Sequence, residues 1–222
     1  MDTKSQKTVA GFLRLACEDY LAARLLLRQG LLIAAIPIAA QCIEKAMKAA
    51  LISKSHTVSK QQHLCPALIA TFKKINPGFI DSETEDFLCF LAKGYKLRYA
   101  HTESEGYTIV INQYRTLMAL DKAFSDLDKP FKLMAETEET ATPYRAKASE
   151  QNALLTQDNW IFNPEVKNEI LTRANMVVEI GMGGRYREID VTYLTEGVSS
   201  HGSFLKKPNF TKDKESFQVT FG

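Results

Sequence analysis

Arg98 and His101, with only Tyr99 and Ala100 between them, are the side chains of this sequence best suited to phosphate chemistry. An arginine grips a phosphate through two parallel N–H donors. A histidine gives or takes a proton near neutral pH. Tyr99 could stack on a base or simply fill a gap. All three stand directly before Thr102-x-x-Glu105, which has the form of a capping box and predicts a helix start. Such an end offers free N–H groups and partial positive charge to an anion. Glu103 and Glu105 oppose this, because they already bring negative charge to the same place. A structural role for the Arg/His pair therefore stands beside the functional one.

Gln41, Glu44, Lys45 and Lys48 form a second polar group, along one side of an Ala-rich stretch. Its ordinary reading is a solvated helix face with supporting charges at helical spacing. Its functional reading adds Glu44, Lys45 and Lys48 to a nucleotide or RNA cleft around Arg98 and Tyr99. Weaker signals follow along the chain. His56 and His63 lack cysteine or carboxylate partners at ligand spacing, so zinc is not expected. Gly181-Met182-Gly183-Gly184 lacks the glycine spacing of a phosphate loop and reads as a turn. Arg185-Tyr186-Arg187 and Lys206, Lys207, Lys212 and Lys214 could meet an RNA backbone, or be a solvated hairpin and tail. Cys17, Cys42, Cys65 and Cys89 are widely spaced without a CxxC pair and read as small buried thiols. No cofactor is expected.

The elements that must position these groups are helices. Ile33–Ser53 carries Ile36, Ala40, Ile43, Met47 and Ala50 in alternating steps of four and three, one apolar stripe. Its alanines let neighbouring backbones come close. Pro37 predicts a helix start or bend near Leu32–Pro37. Before it, Thr8–Gln29 repeats the rhythm in Leu13, Ala16, Tyr20, Ala23 and Leu27, with Arg14, Glu18, Arg24 and Arg28 largely outside the stripe. Gly30 closes that helix, so the two should pack antiparallel. A shorter helix is expected over His63–Ile75, with Pro66 in its first turn. Ser82-x-x-Glu85 predicts another helix carrying Phe87, Leu88, Leu91 and Tyr95. The Thr102 box predicts one more, with Tyr107, Val110, Tyr114, Leu117 and Phe124 inside, stopping near Pro130.

Composition changes after Pro130. The division expected is a helical bundle over 1–130, a linker or loosely packed arm over 131–159, and a small C-terminal region over 160–222. There Trp160 and Phe162 could anchor a packing unit, and Glu165–Arg173 reads as a short helix. Asn175–Ile180 and Glu188–Leu194 read as a β-hairpin, and Phe217, Val219 and Phe221 as a further strand. The formal net charge of +2 neither argues for nor excludes nucleic acid. No apolar run reaches the length of a bilayer span, and the first residues lack a signal-peptide core, so a cytoplasmic protein without membrane partners is expected.

The order of these elements, with Tyr20–Gly30 (YLAARLLLRQG), Ala39–Leu51 (AAQCIEKAMKAAL), His63-Leu64 and the LRYAH run ending at His101, resembles the HEPN family of small helical domains over roughly Thr8–Lys129. The resemblance implies a mainly α fold: a four- to five-helix up-and-down bundle, often a homodimer, here with a small C-terminal α+β extension. It implies an RNA- or nucleotide-binding protein in a defence or toxin–antitoxin setting. Many members are metal-independent endoribonucleases whose arginine and histidine, four to six residues apart, meet across the dimer. In those members the histidine moves a proton while a ribose 2′-OH attacks the adjacent phosphate, and the arginine holds the phosphate charge. Arg98 and His101 are closer than that pattern requires, so weak or absent cleavage is the expectation for them as catalytic pair. The alternatives are a non-catalytic helical module for dimerisation and protein interaction, or the helical partner of a nucleotidyltransferase.

Overall fold

The computed structural model describes residues 3–59, 63–98, 106–135, 138–182, 188–194 and 204–206. The Arg185–Arg187 run, Lys207, Lys212, Lys214 and the strand expected at Phe217–Phe221 lie outside the described residues. Helix α1 spans Thr3–Arg28, and Gly30 turns the chain with a positive φ of 75°. Helix α2 follows over Leu32–Ser53. Its start at Leu32 falls within the expected window, and Pro37 sits inside it at the cost of one ladder hydrogen bond. The stripe Leu13, Ala16, Tyr20, Ala23 and Leu27 is buried against the stripe of α2, as the antiparallel pairing requires.

Helices α3 (Pro66–Ile75) and α4 (Ser82–Gly94) complete one side, and a 3₁₀ turn, Tyr95–Arg98, extends α4. The cap of α4 differs from the expected box. Asp81, not Ser82, accepts the free N–H of Thr84 at 2.8 Å, while Lys122 bonds its other oxygen at 2.8 Å. Those bonds hold the Asp81 carboxyl down at about 2. Gly94 lies against α2, where an added Cβ would collide with Cγ2 of Ile36. A side chain there would push α2 and α4 apart.

The helix expected from Thr102 is corrected. Thr102–Glu105 lies outside the described residues, and Tyr107–Asn112 forms a strand, β1, before helix α5 begins at Gln113 and runs to Asp128. The run Thr108-Ile109-Val110-Ile111 is β-branched throughout, which favours extended backbone. It is buried on both faces, so no solvent side opposes a strand. Asn112 then caps α5 by accepting the N–H of Arg115 at 3.1 Å. Leu117 and Phe124 face inward as expected.

Past α5 the chain forms a small ladder, β2 (Leu133–Ala135) with β3 (Glu138–Thr140), and three short helices: α6 (Pro143–Ser149), α7 (Ala153–Thr156) and α8 (Val166–Thr172). The expected hairpin is present as β4 (Asn175–Met182) and β5 (Glu188–Leu194), with Val178 opposite Val191. It belongs to a larger antiparallel sheet of order β5-β4-β1-β6, where β6 is Leu205–Lys206 and Ile109 of β1 faces Ile180 of β4.

The arm and the bundle share one polar knot. Arg24, expected largely outside the α1 stripe, is instead 0 % exposed. It pairs with Asp121 of α5 and donates to the carbonyls of Leu154 at 3.1 Å and Gln157 at 2.7 Å. The Tyr20 hydroxyl donates to Asp121 at 2.8 Å and accepts from Asn159 at 3.0 Å. Burial beside Asp121 raises the Tyr20 phenol well above its ordinary range, so it remains a donor. Trp160 donates from Nε1 to the Met118 carbonyl at 3.1 Å, fixing the start of the C-terminal region on α5. No helix among the described residues is long and apolar enough to cross a membrane.

Two outcomes follow for chemical denaturation. Asp81→Ala lowers stability at pH 7 by about 1 kcal/mol, the usual worth of an N-cap. Because the folded carboxyl lies at about 2, below its ordinary 3.8, that contribution is present above 3.8 and fades as pH falls through 2. The gap between native and variant therefore closes in strong acid. Gly94→Ala costs about 1–3 kcal/mol by overpacking, despite alanine's better helix propensity. An unchanged midpoint for this variant would show that α2 and α4 are not in close contact there.

Candidate functional site

Glu44 and Lys48 are four residues apart on α2, so they share a face. That face is not solvated, contrary to the ordinary reading of it: Lys48 is 2 % exposed and Glu44 is also buried. A buried charge must be paired. Lys48 Nζ donates to Oε1 of Glu44 at 2.7 Å, and the backbone N–H of Leu64 donates to Oε2 at 3.2 Å. This second bond draws the segment before α3 onto α2. It also places His63, whose Nδ1 is 3.6 Å from the same Oε2. Thus His63 has the carboxylate neighbour that its place in the sequence does not reveal.

The His63 ring stacks on Tyr95, with centroids 4.8 Å apart and planes 28° apart. Tyr95 opens the 3₁₀ turn that ends in Arg98. The Arg98 guanidinium lies 5.3 Å from the centre of the Tyr95 ring and donates to its hydroxyl at 3.2 Å. Lys48, Glu44, His63, Tyr95 and Arg98 therefore form one connected chain, from the interior of α2 to the surface. At its outer end an imidazole, 57 % exposed, and an exposed guanidinium share one tyrosine.

Arg98 also borders a cavity of about 810 Å³ between α2, the 3₁₀ turn and β4. Gln41 is the other polar side chain of its lining; Leu31, Ile38, Leu97 and Met176 are among the apolar ones. The cavity is large enough for a nucleotide-sized ligand, whose phosphate Arg98 could hold at the rim. The remaining expected site residues divide clearly. Glu44, Lys48 and Arg98 come together. Lys45 does not: it points toward α1 and pairs with Asp19. Tyr99 and His101 lie outside the described residues. The helix expected to present its N-terminus to Arg98 begins only at Gln113, after β1, so that support for anion binding is withdrawn.

Two residues of the site, His63 and Tyr95, escaped the sequence reading. In the sequence His63 reads as the start of a helix and as a residue without zinc-ligand spacing, and Tyr95 reads as core. The available signal was Glu44: a carboxylate on a helix so rich in alanine needs donors, and His63-Leu64 is where the chain returns. Among the described residues, no group of three or more His, Cys, Asp and Glu side chains could hold a metal. Cys17 and Cys42 are buried free thiols, and burial pushes Cys17 up to about 12, far from a nucleophile's range. Cys65 and Cys89 are half-buried.

The family model described as the HEPN domain matches residues 9–141. That span holds α1 from Val9 onward, α2 to α5 and every residue of the Arg98 chain. No curated protein and no solved structure matches the chain.

The buried pair yields a stability prediction. Glu44→Ala strands the Lys48 ammonium and the Leu64 N–H, and should cost about 3–5 kcal/mol in urea unfolding. The double replacement Glu44→Gln with Lys48→Met removes both charges and should recover most of that loss. A single variant as stable as the native chain would mean that the pair is solvated.

Proposed function

The chain belongs to the HEPN domain family, and from that premise we propose that it binds RNA or a nucleotide through Arg98. The observation that carries this reading is the convergence of Arg98 and His63 on Tyr95, with Arg98 also bordering the cavity between α2, the 3₁₀ turn and β4. In the proposed complex Arg98 takes a phosphate oxygen through its free N–H groups. His63, braced by Glu44 on Nδ1, offers its other ring nitrogen to the same phosphate. Lys48 holds Glu44 rather than the ligand, because its ammonium is buried. Tyr99 and His101 follow Arg98 directly in sequence and complete the proposed site.

Binding rather than rapid cleavage is the proposed activity, since Arg98 and His101 stand closer in sequence than in the nucleases the chain resembles. Any cleavage would be independent of metal. The proposal includes a homodimer. Leu31, 55 % exposed and part of the apolar lining beside Arg98, supports a second copy covering that mouth. Sedimentation would then give twice the chain mass of 24.9 kDa.

Anisotropy of a labelled single-stranded RNA at low salt tests the site. Arg98→Ala should weaken binding about tenfold or more, the worth of a charge-assisted hydrogen bond. It should also reduce the salt slope by about 0.7, one phosphate contact. His63→Ala should weaken binding less. Incubation with mixed RNA in EDTA should give slow cleavage or none, and any cleavage should vanish in Arg98→Ala and His101→Ala. A folded native protein that binds no RNA or nucleotide, or an Arg98→Ala variant that binds as well as native, would refute the reading.

A further inference from the structure

A second cavity, about 390 Å³, lies between the start of α4, the middle of α5, Trp160, α8 and Phe204, and shares no lining residue with the Arg98 cavity. Its walls are largely apolar and its charges are unequal. Arg115, Lys122 and Lys167 face Glu83. Lys122 is already held by Asp81 at 2.8 Å and Asp126 at 3.3 Å. Arg115 is not so held. Its guanidinium carbon sits 4.0 Å from the centre of the Phe204 ring, and among the described residues it reaches neither a hydrogen-bond acceptor nor a carboxylate. Glu83 and Asp86 act on it only through space, and burial outweighs them, lowering its pKa.

A half-buried guanidinium without an acceptor has lost water and gained little in return. Contact with the Phe204 ring gives its N–H groups no acceptor and leaves them available for a bidentate one. Phe204 is itself backed by Phe90 at 4.7 Å, so the ring is a fixed wall. Opposite, the Trp160 N–H is spent on Met118 and Lys167 lies 4.7 Å over the indole, so that side offers ring surface and a second cation. The volume falls in the range of small-molecule sites.

We propose that this cavity binds a small organic anion, a phosphate or carboxylate carried on a flat apolar body, with Arg115 gripping the acid group, Lys167 assisting, and the body lying between Trp160 and Phe204. It is a site separate from Arg98 and stands or falls independently of it.

Trp160 is the chain's single tryptophan, so its fluorescence reports on this cavity alone. The full chain is titrated with phenyl phosphate, benzoate, inorganic phosphate and benzyl alcohol. Phenyl phosphate or benzoate should change the emission saturably, and the stronger of the two identifies the acid group. Inorganic phosphate and benzyl alcohol should each bind at least about tenfold more weakly, since each lacks one half of the ligand. Arg115→Gln should lose about tenfold and Lys167→Gln less, while Arg98→Ala should bind like native. Should Arg115→Gln fail to fold, Arg115→Lys serves instead: it keeps the charge, loses the fork and should weaken binding. Absence of a saturable response, equal binding of benzyl alcohol, or unchanged binding in a folded Arg115 variant would overturn the proposal.

Discussion

Helix α2 is enclosed on nearly every side, and that enclosure constrains the rest of the chain. Its alanines admit α1 along one flank, while Ile36 fills the space that Gly94 leaves at the end of α4. An ordinary surface helix keeps a polar side for water. This one takes Glu44 and Lys48 inside with it. The pair neutralises itself, yet the second carboxylate oxygen still requires a donor, and the Leu64 N–H supplies it. Fixing Leu64 fixes His63, and the tight Gly94 contact fixes Tyr95 and hence Arg98. The candidate site is thus a by-product of how a buried helix satisfies its own charges.

A second polar knot does similar work between α1, α5 and the segment around α7. Arg24 satisfies Asp121 and also two carbonyls of the segment around α7, while Tyr20 links Asp121 to Asn159. Near it, Arg28 and Arg173 converge on Asp158; burial pushes that carboxyl up, but the two arginines outweigh it and the net shift is downward. Residues after Pro130 are joined to the helices through these contacts and through β1, which lies between β4 and β6 in the sheet. The two knots differ in consequence: the Arg24 cluster is sealed, whereas the Glu44 cluster opens to the surface through His63 and Arg98.

Helices α1 to α4 were legible because their apolar residues follow one period for several turns, and the hairpin because two β-branched runs flank glycines. Strand β1 was not. Tyr107, Val110 and Tyr114 also fall at helical spacing, and a strand buried on both faces shows no alternation to contradict it. In the sequence Arg24 falls largely outside the α1 stripe and Lys48 reads as a solvated or ligand-facing charge, because nothing in their own neighbourhoods names Asp121, or says that α2 lacks a wet side. Arg98 could be singled out by residue type; its partners could not, since Tyr95 looks like core and His63 gains its carboxylate only when α3 folds back. The second cavity was invisible for the same reason, being assembled from α4, α5, α8 and a single phenylalanine far along the chain.

In the proposed complex His63 and Arg98 act on one ligand because Glu44 and Tyr95 hold them together. The most direct test is the ring spectrum of ¹³C-labelled histidine during titration with a short RNA. The His63 signal should move as the RNA binds while exposed His56, away from the cluster, stays still, and the movement should vanish in Arg98→Ala. RNA binding that leaves the His63 signal in place, or that moves it equally without Arg98, would contradict the shared site.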